Sequence, residues 1–350
     1  MLSDPGSVDG VFMGQIQLAL LLGMTVALGP LALDAYLPAF PGISYELGVT
    51  YGDVGLTLSS YVFALGVAQL VGGPLSDRYG RRQVLLGGLA IFAVGALMVA
   101  YANTLGQMLF WRVVQGIGGA FCAVSVPAIV RDQCRGTEAA RLFGLIGLVM
   151  YVAPALAPFI GSLLLNISDW PVIFLMLAGY ALLLGIVLHL ALFPRLAKRD
   201  REEARIYTLV TNYILILKHP VTMRFVGLQG LCFSIMLVFI TNSSFIYQEW
   251  FGLSNAMFSG LFAANVGVMI CLNLLNRLLL NRFDTVDILR VSVYLQAMAI
   301  FALVIFVWAE SHYWAIAACI IIGVGFMGVI VPNNMANAME FFPELGGTAA

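Results

Sequence analysis

Long unbroken runs of apolar residues constrain this chain more than any other feature. Ten of them lie near residues 15–38, 54–76, 84–101, 106–130, 140–164, 171–193, 222–248, 255–280, 286–308 and 313–339. A bilayer core of about 30 Å takes roughly 20 apolar residues in a helix, and these runs fit that length. Lipid offers no partner for an open strand, so each run must be helical. A soluble core does not account for them. Of the 350 residues 61% are hydrophobic and only 10% are charged, against about 25% charged in ordinary soluble domains. The expected fold is an all-α polytopic membrane protein embedded in a lipid bilayer.

Several function classes are disfavoured by the same reading. The formal net charge is −1, and no block of like charge offers a face for nucleic acid. The five cysteines, Cys122, Cys134, Cys232, Cys271 and Cys319, sit in or beside apolar runs without a CxxC pair. They read as small embedded hydrophobes rather than a disulfide or zinc framework. His189 and His312 stand near span ends with no metal spacing and read as structural. No nucleophile–base pair, carboxylate cluster or phosphate loop points to an enzyme, and no metal or organic cofactor is expected. The first apolar run is too long for a cleavable signal and lacks a basic n-region, so it reads as a retained span.

Lys and Arg favour cytoplasmic loops, and their distribution sets the expected orientation. With the N-terminus inside, the inside loops hold Arg78, Arg81 and Arg82; Arg131, Arg135 and Arg141; Arg195, Lys198, Arg199, Arg201, Arg205, Lys218 and Arg224; and Arg277, Arg282 and Arg290. Those are all of the 17 basic residues except Arg112, which lies inside span four. The outside loops carry Glu46, Asp53, Asp169, Glu249 and Glu310 instead.

The chain divides into two halves. Residues 1–193 form an expected six-helix bundle, 194–221 a charged amphipathic linker on the cytoplasmic face, and 222–350 a second bundle. A weak repeat supports the division: Ser76 to Leu85 after span two aligns without a gap to Leu280 to Leu289 after span eight. Repeated halves around a central path are common in transporters. Four spans in the second half against six in the first leave the count two short of twelve. The expectation is a chain truncated before its last two spans.

Four stretches carry the chemistry. The loop after span two reads Gly73-Pro74-Leu75-Ser76-Asp77-Arg78-Tyr79-Gly80-Arg81-Arg82. Asp77 and the arginines can form a charge network, with Asp132 after span four as a further partner. Gly73 and Gly80 permit close helix approach and a tight turn. Span four holds Arg112-Val113-Val114-Gln115-Gly116-Ile117-Gly118-Gly119-Ala120. A charge inside a span costs about 2.5–3.5 kcal/mol on insertion scales and calls for a partner. Asp34, in Leu33 to Pro41 of span one, is the best candidate, because both groups lie about 9 Å from the same end of their spans at 1.5 Å rise per residue. Such a carboxylate can hold a proton when the arginine swings away, and Gln115 can hold the arginine. Snorkelling of Arg112 to the interface and a helix-end role for Asp34 are the plain alternatives. Span five carries Pro154 and Pro158 four apart, then Gly161, a pattern that frees carbonyls and bends a helix.

The loop Gly73 to Arg82 resembles the signature loop of the major facilitator superfamily, and Arg112 to Ala120 resembles that superfamily's span-four motif. Pro154 to Gly161 is similar to its antiporter motif, with Ala157 and Ser162 standing where glycine is usual. Asn242 to Ser254, Val331 to Ala338, Leu33 to Pro41 and Val130-Arg131-Asp132 resemble the bicyclomycin and chloramphenicol resistance (Bcr/CflA) branch. The resemblance implies a helical bundle of two pseudo-repeated halves. It implies monomeric, proton-coupled multidrug efflux across a bacterial inner membrane by alternating access, driven by the proton gradient. It also implies roles: Asp34, Arg112 and Gln115 in proton coupling; Gly73, Asp77, Arg78, Gly80, Arg81, Arg82 and Asp132 in conformational gating; Pro154, Pro158 and Gly161 in the antiporter helix. Polar groups among apolar neighbours suit a drug cavity, and Tyr36, Tyr61, Tyr151, Asn242, Tyr247 and Asn265 are the candidates. A proton symporter for a small metabolite and an inactive transporter fragment remain as alternatives.

Overall fold

A computed structural model describes residues 14–134, 136–196 and 217–339. Most of the linker expected at 194–221, and the end of the chain beyond Met339, lie outside the described residues. Among those described, ten helical spans are long and apolar enough to cross a membrane: Gln15–Leu47, Tyr51–Tyr79, Arg81–Ala100, Leu105–Gln133, Arg141–Leu165, Pro171–Arg195, Pro220–Trp250, Asn255–Leu279, Thr285–Trp308 and Tyr313–Ala338. They are numbered one to ten here, and each matches one of the apolar runs. Large apolar side chains stand exposed midway along many of them, among them Leu20, Phe63, Leu183, Val238 and Phe301. An aqueous surface would not tolerate so many, whereas acyl chains do. The chain is a multi-pass membrane protein.

Span one departs from its expected boundary. The sequence pattern carries it through to residue 38 as one helix. The structure ends the first helix at Asp34, makes a 3-10 turn at Leu37–Ala39, and starts a second helix at Phe40–Leu47. Two prolines enforce the break: Pro38 and Pro41 each occupy the first turn of the element that follows. Proline fits a helix start, where its missing N–H is not needed, and fails in a helix interior. Span five, by contrast, stays helical from Gly136 to Leu165 with both prolines inside.

Contacts group the chain into two units. One comprises residues 1–32, 59–150 and 174–203, the other residues 33–58, 151–173 and 204–350. In the first unit spans three and four pack almost backbone to backbone. A side chain at Gly95 would sit 2.6 Å from the Gln115 amide nitrogen, and one at Gly118 would collide with the Phe92 amide. The second unit has its own core, in which Cys232, Leu289, Met327 and Ile330 are buried against Phe225, Met236, Met269 and Val293.

The two halves share packing. Gly116 of span four lies against the Tyr61 carbonyl of span two, and Gly328 of span ten lies against the Met269 carbonyl of span eight. In both halves the glycine removes the side chain that would hold the helices apart. The repeat recognised in the sequence also holds at the start of the next helix. Gly80 caps span three and the aligned Asp284 caps span nine.

Candidate functional site

Span four presents Arg112, Gln115, Gly116 and Gly119 along one face, at the helical spacing of three, four and seven residues. Gly116 and Gly119 leave room for Tyr61: a side chain at either would come within 2.7 Å of the Tyr61 carbonyl or hydroxyl. The Tyr61 ring therefore lies flush on span four, beneath Arg112. The guanidinium carbon sits 4.6 Å from the Tyr61 ring centre and 5.8 Å from that of Phe174. Nη1 donates to the Gln115 side-chain oxygen at 2.7 Å and to the Ala32 carbonyl at 3.1 Å. Arg112 is 0% exposed, so it does not snorkel to an interface. Cation–π contacts reach about 2 kcal/mol when desolvated, and they hold this charge together with the hydrogen bonds. The structure brings Gln115 and Arg112 together, while the Gln115 Nε2 is buried without a hydrogen-bond partner. The Tyr61 hydroxyl is buried without a hydrogen-bond partner.

Asp34 is the last residue of the first helix of span one and is 3% exposed. Its Oδ1 is buried with no hydrogen-bond partner. The helix breaks immediately after it, and the neighbouring Ala35 carbonyl presses directly on Gly161 of span five. Asp34 belongs to the second unit and Arg112 to the first.

The Gly73–Arg82 loop forms the expected charge network, centred on one arginine. Arg81 meets Asp77 at 2.5 Å and Asp132 at 2.9 Å, and donates to the Ser76 hydroxyl at 3.1 Å. The Arg81 and Asp132 side chains are only 22% and 9% exposed. Gly80 makes the tight turn with φ of 95°, a region that favours glycine. Three other members stand apart. Arg78 lies over the adjacent Tyr79 ring, and Arg82 turns toward His189. Gly73 faces open space, so close helix approach is not its part in this conformation.

In the second unit Tyr36 is buried and bonded to Thr57 at 3.0 Å. Tyr247 is buried within ring contacts to Phe239, Phe251 and Phe258. Its hydroxyl and the Asn265 Oδ1 are both buried without a hydrogen bond. Asn242 is exposed and donates to the Val238 carbonyl of its own helix. The Tyr151 side chain lies outside the described residues.

Sequence reasoning missed a polar belt within this unit that joins spans one, two and five to spans seven and eight. Ser162 bonds Ser259 at 2.8 Å, and Ser259 donates to the Pro158 carbonyl at 3.1 Å. Gln248 donates to Asn255 at 2.6 Å and to the Pro38 carbonyl at 3.4 Å. Tyr51 donates to Glu249 at 3.0 Å. One signal was available: a hydroxyl at Ser162 where small glycine is usual.

Residues 20–350 match the Major Facilitator Superfamily. A bicyclomycin resistance protein homolog of Haemophilus influenzae is 28% identical over 330 residues, covering 94% of this chain and 83% of that protein. A chloramphenicol resistance protein of Pseudomonas aeruginosa is 30% identical over 338 residues, covering 94% and 78%. The xylose transporter XylE from E. coli, in a partially occluded inward-open conformation, superposes with a TM-score of 0.73 over 96% of this chain and 89% of its own, at 13% identity. That likeness is one of fold. Ten membrane-length helices among the described residues, a repeated helix-pair packing and an Arg81-centred loop network converge with these matches: the chain belongs to the Major Facilitator Superfamily of membrane transporters.

Proposed function

We propose that this transporter exports small drug-like molecules in exchange for protons by alternating access. Its N-terminus faces the cytoplasm across a bacterial inner membrane, it acts as a monomer, and its two sequence halves supply the moving parts. Asp34 is the observation that carries the reading. A charge on a carboxyl that is buried and has one oxygen unpartnered is costly. Gain or loss of a proton there changes the relative stability of conformations by a large amount. In this reading Arg112, steadied by Gln115, is the cation that competes with the proton. The network of Asp77, Arg81 and Asp132 holds one conformation shut on the cytoplasmic side. Pro154, Pro158 and Gly161 keep span five in close contact with the break of span one.

The resistance proteins among the relatives support a drug as substrate. The aromatic cluster around Tyr247 is packed shut here, and its composition, apolar with a few polar groups, suits such a substrate where the cluster opens during the cycle. The proton gradient is the sole energy source required.

The test uses everted vesicles energised to an acid interior. Addition of chloramphenicol or bicyclomycin to vesicles carrying the chain releases protons, and the Asp34→Asn form does not. Proton release that persists in Asp34→Asn removes Asp34 from the mechanism. Substrate that leaves the vesicles together with protons, in place of accumulating, replaces antiport by symport.

A further inference from the structure

Adjacent arginines at the start of span three meet different environments. Arg81 lies between two carboxylates, as described above. Arg82 has no carboxylate within ion-pair distance among the described residues. Its Nη2 donates to the His189 ring, 3.2–3.3 Å from both nitrogens, and its guanidinium lies 6.0 Å from the Phe193 ring centre. One of five donor N–H groups is engaged this way, and the residue is exposed.

A groove ends at His189, the residue that Arg82 contacts. It has a volume of about 310 Å³ between spans three and six. Leu86, Leu89 and Ala90 form one wall, and Ala181, Leu182, Gly185, Ile186 and Leu190 form the other, with His189 at one end. Leu86 is one helical turn beyond Arg82, so the cation and the wall share a face of span three. Gly185 creates the floor: a side chain added there would point at Leu89, 3.7 Å away. From Ala181 to Leu190 the groove runs about 14 Å along the helix. Span six then widens into a π-helical turn at Leu188–Leu192, which sets His189 beside Arg82. Such turns are rare and gather at functional sites.

We propose that this groove binds one anionic membrane phospholipid, with an acyl chain between spans three and six and the phosphate on Arg82 beside His189. The charge argument selects the occupant. An apolar slot on a lipid-facing surface takes any acyl chain, but a guanidinium without a carboxylate partner at its mouth favours a phosphodiester with net negative charge over a zwitterionic headgroup. The site lies within the first unit and does not depend on which substrate is transported or in which direction.

Native mass spectrometry of the purified, delipidated chain tests it, with add-back of phosphatidylglycerol or phosphatidylcholine of matched acyl chains. Wild type retains one phosphatidylglycerol with a preference of about fivefold, the effect of one basic side chain at an anionic surface. Arg82→Gln removes the preference and keeps weak, equal retention of both lipids, while Arg82→Lys keeps most of it. Gly185→Leu fills the slot and loses both lipids. Ala90→Phe does the same from the opposite wall, so a folding defect in one variant leaves the other as a test. Equal retention of the two lipids by wild type, or undiminished retention by both filled variants, overturns the proposal. Displacement of the lipid by chloramphenicol one for one, with loss of that displacement in Gly185→Leu, overturns it in favour of a drug site.

Discussion

Arg81 and Thr285 occupy aligned positions in the two halves, each the first residue of its helix. Each ties that helix to the end of the next: Arg81 reaches Asp132 at 2.9 Å, and Thr285 reaches Asn337 at 2.9 Å. The joint is the same and its chemistry is not. In the first half it is an ion pair, supported by Asp77. In the second it is a hydroxyl on an amide, continued through Asn333 to Asn276, with further neutral amides bonded separately in the same half. Asn337 donates to the Asn333 carbonyl, Asn333 to Asn276, Asn334 to Gln229 and Gln296 to the Gly323 carbonyl. An ion pair responds to salt, to protons and to rearranged charges. Neutral amides respond far less to any of these, although the Asn334 Oδ1 is itself buried without a partner. The difference suits the first half to switching and the second to framework, a division that experiment can break.

The severest test of that division is Arg112→Leu. It should lower drug-driven proton release in vesicles at least about a hundredfold, since each hydrogen bond to a charged group is worth about 1.5–3 kcal/mol and Arg112 makes two to Ala32 and Gln115. Activity near wild type would end the claim that charge in the first half drives the cycle. Next, Asn333→Leu should cost about 1–3 kcal/mol of stability by orphaning the buried Asn276. Thermal unfolding in detergent reads that loss, and transport per folded molecule should be unchanged. A transport defect without a stability defect would make the amide network part of the switch.

The two joints themselves are separated by a smaller effect. Cys134 lies two residues beyond Asp132, and its maleimide labelling reports the opening of that joint. Raising salt should speed the labelling about 1.4- to fivefold, the range expected when an ion pair of about 0.2–1 kcal/mol is screened. Arg81→Gln should abolish the salt response, and Thr285→Val should leave it intact. The smallest effect concerns the thiol itself. Burial, and then the nearby Glu138 carboxylate, push Cys134 above the usual thiol range. Less thiolate is present at a given pH, so labelling is slow at pH 7 and rises with pH. Glu138→Gln should bring the thiol down and speed labelling about twofold; an unchanged rate would leave burial as the sole cause.

Much of this was legible in the sequence because it rests on composition and short-range spacing. Each apolar run became a span, and Asp77, Arg81 and Asp132 came together as the loop residues predicted. What stayed hidden depends on partners far along the chain. Sequence reasoning sought carboxylates for Arg112 and overlooked rings, yet Tyr61 and Phe174 lie under it from other spans. His189 read as merely structural because its partner Arg82 is more than a hundred residues away. The break after Asp34 was obscured for a different reason. Its apolar content continues through Leu37 and Phe40, and hydropathy outweighed the plain signal of Pro38 and Pro41.

Gly161 has a mechanical consequence. Where the Ala35 carbonyl bears on it, two backbones touch with no layer of side chains between them. A side chain at a helix contact can give way by changing rotamer. A bare backbone contact allows no such give and works as a bearing pin, so any tilt of this part of span five is delivered undamped to the residue next to Asp34. Even a single methyl group at position 161 would act as a wedge, forcing the pin out of its seat and leaving the two helices free to move out of step.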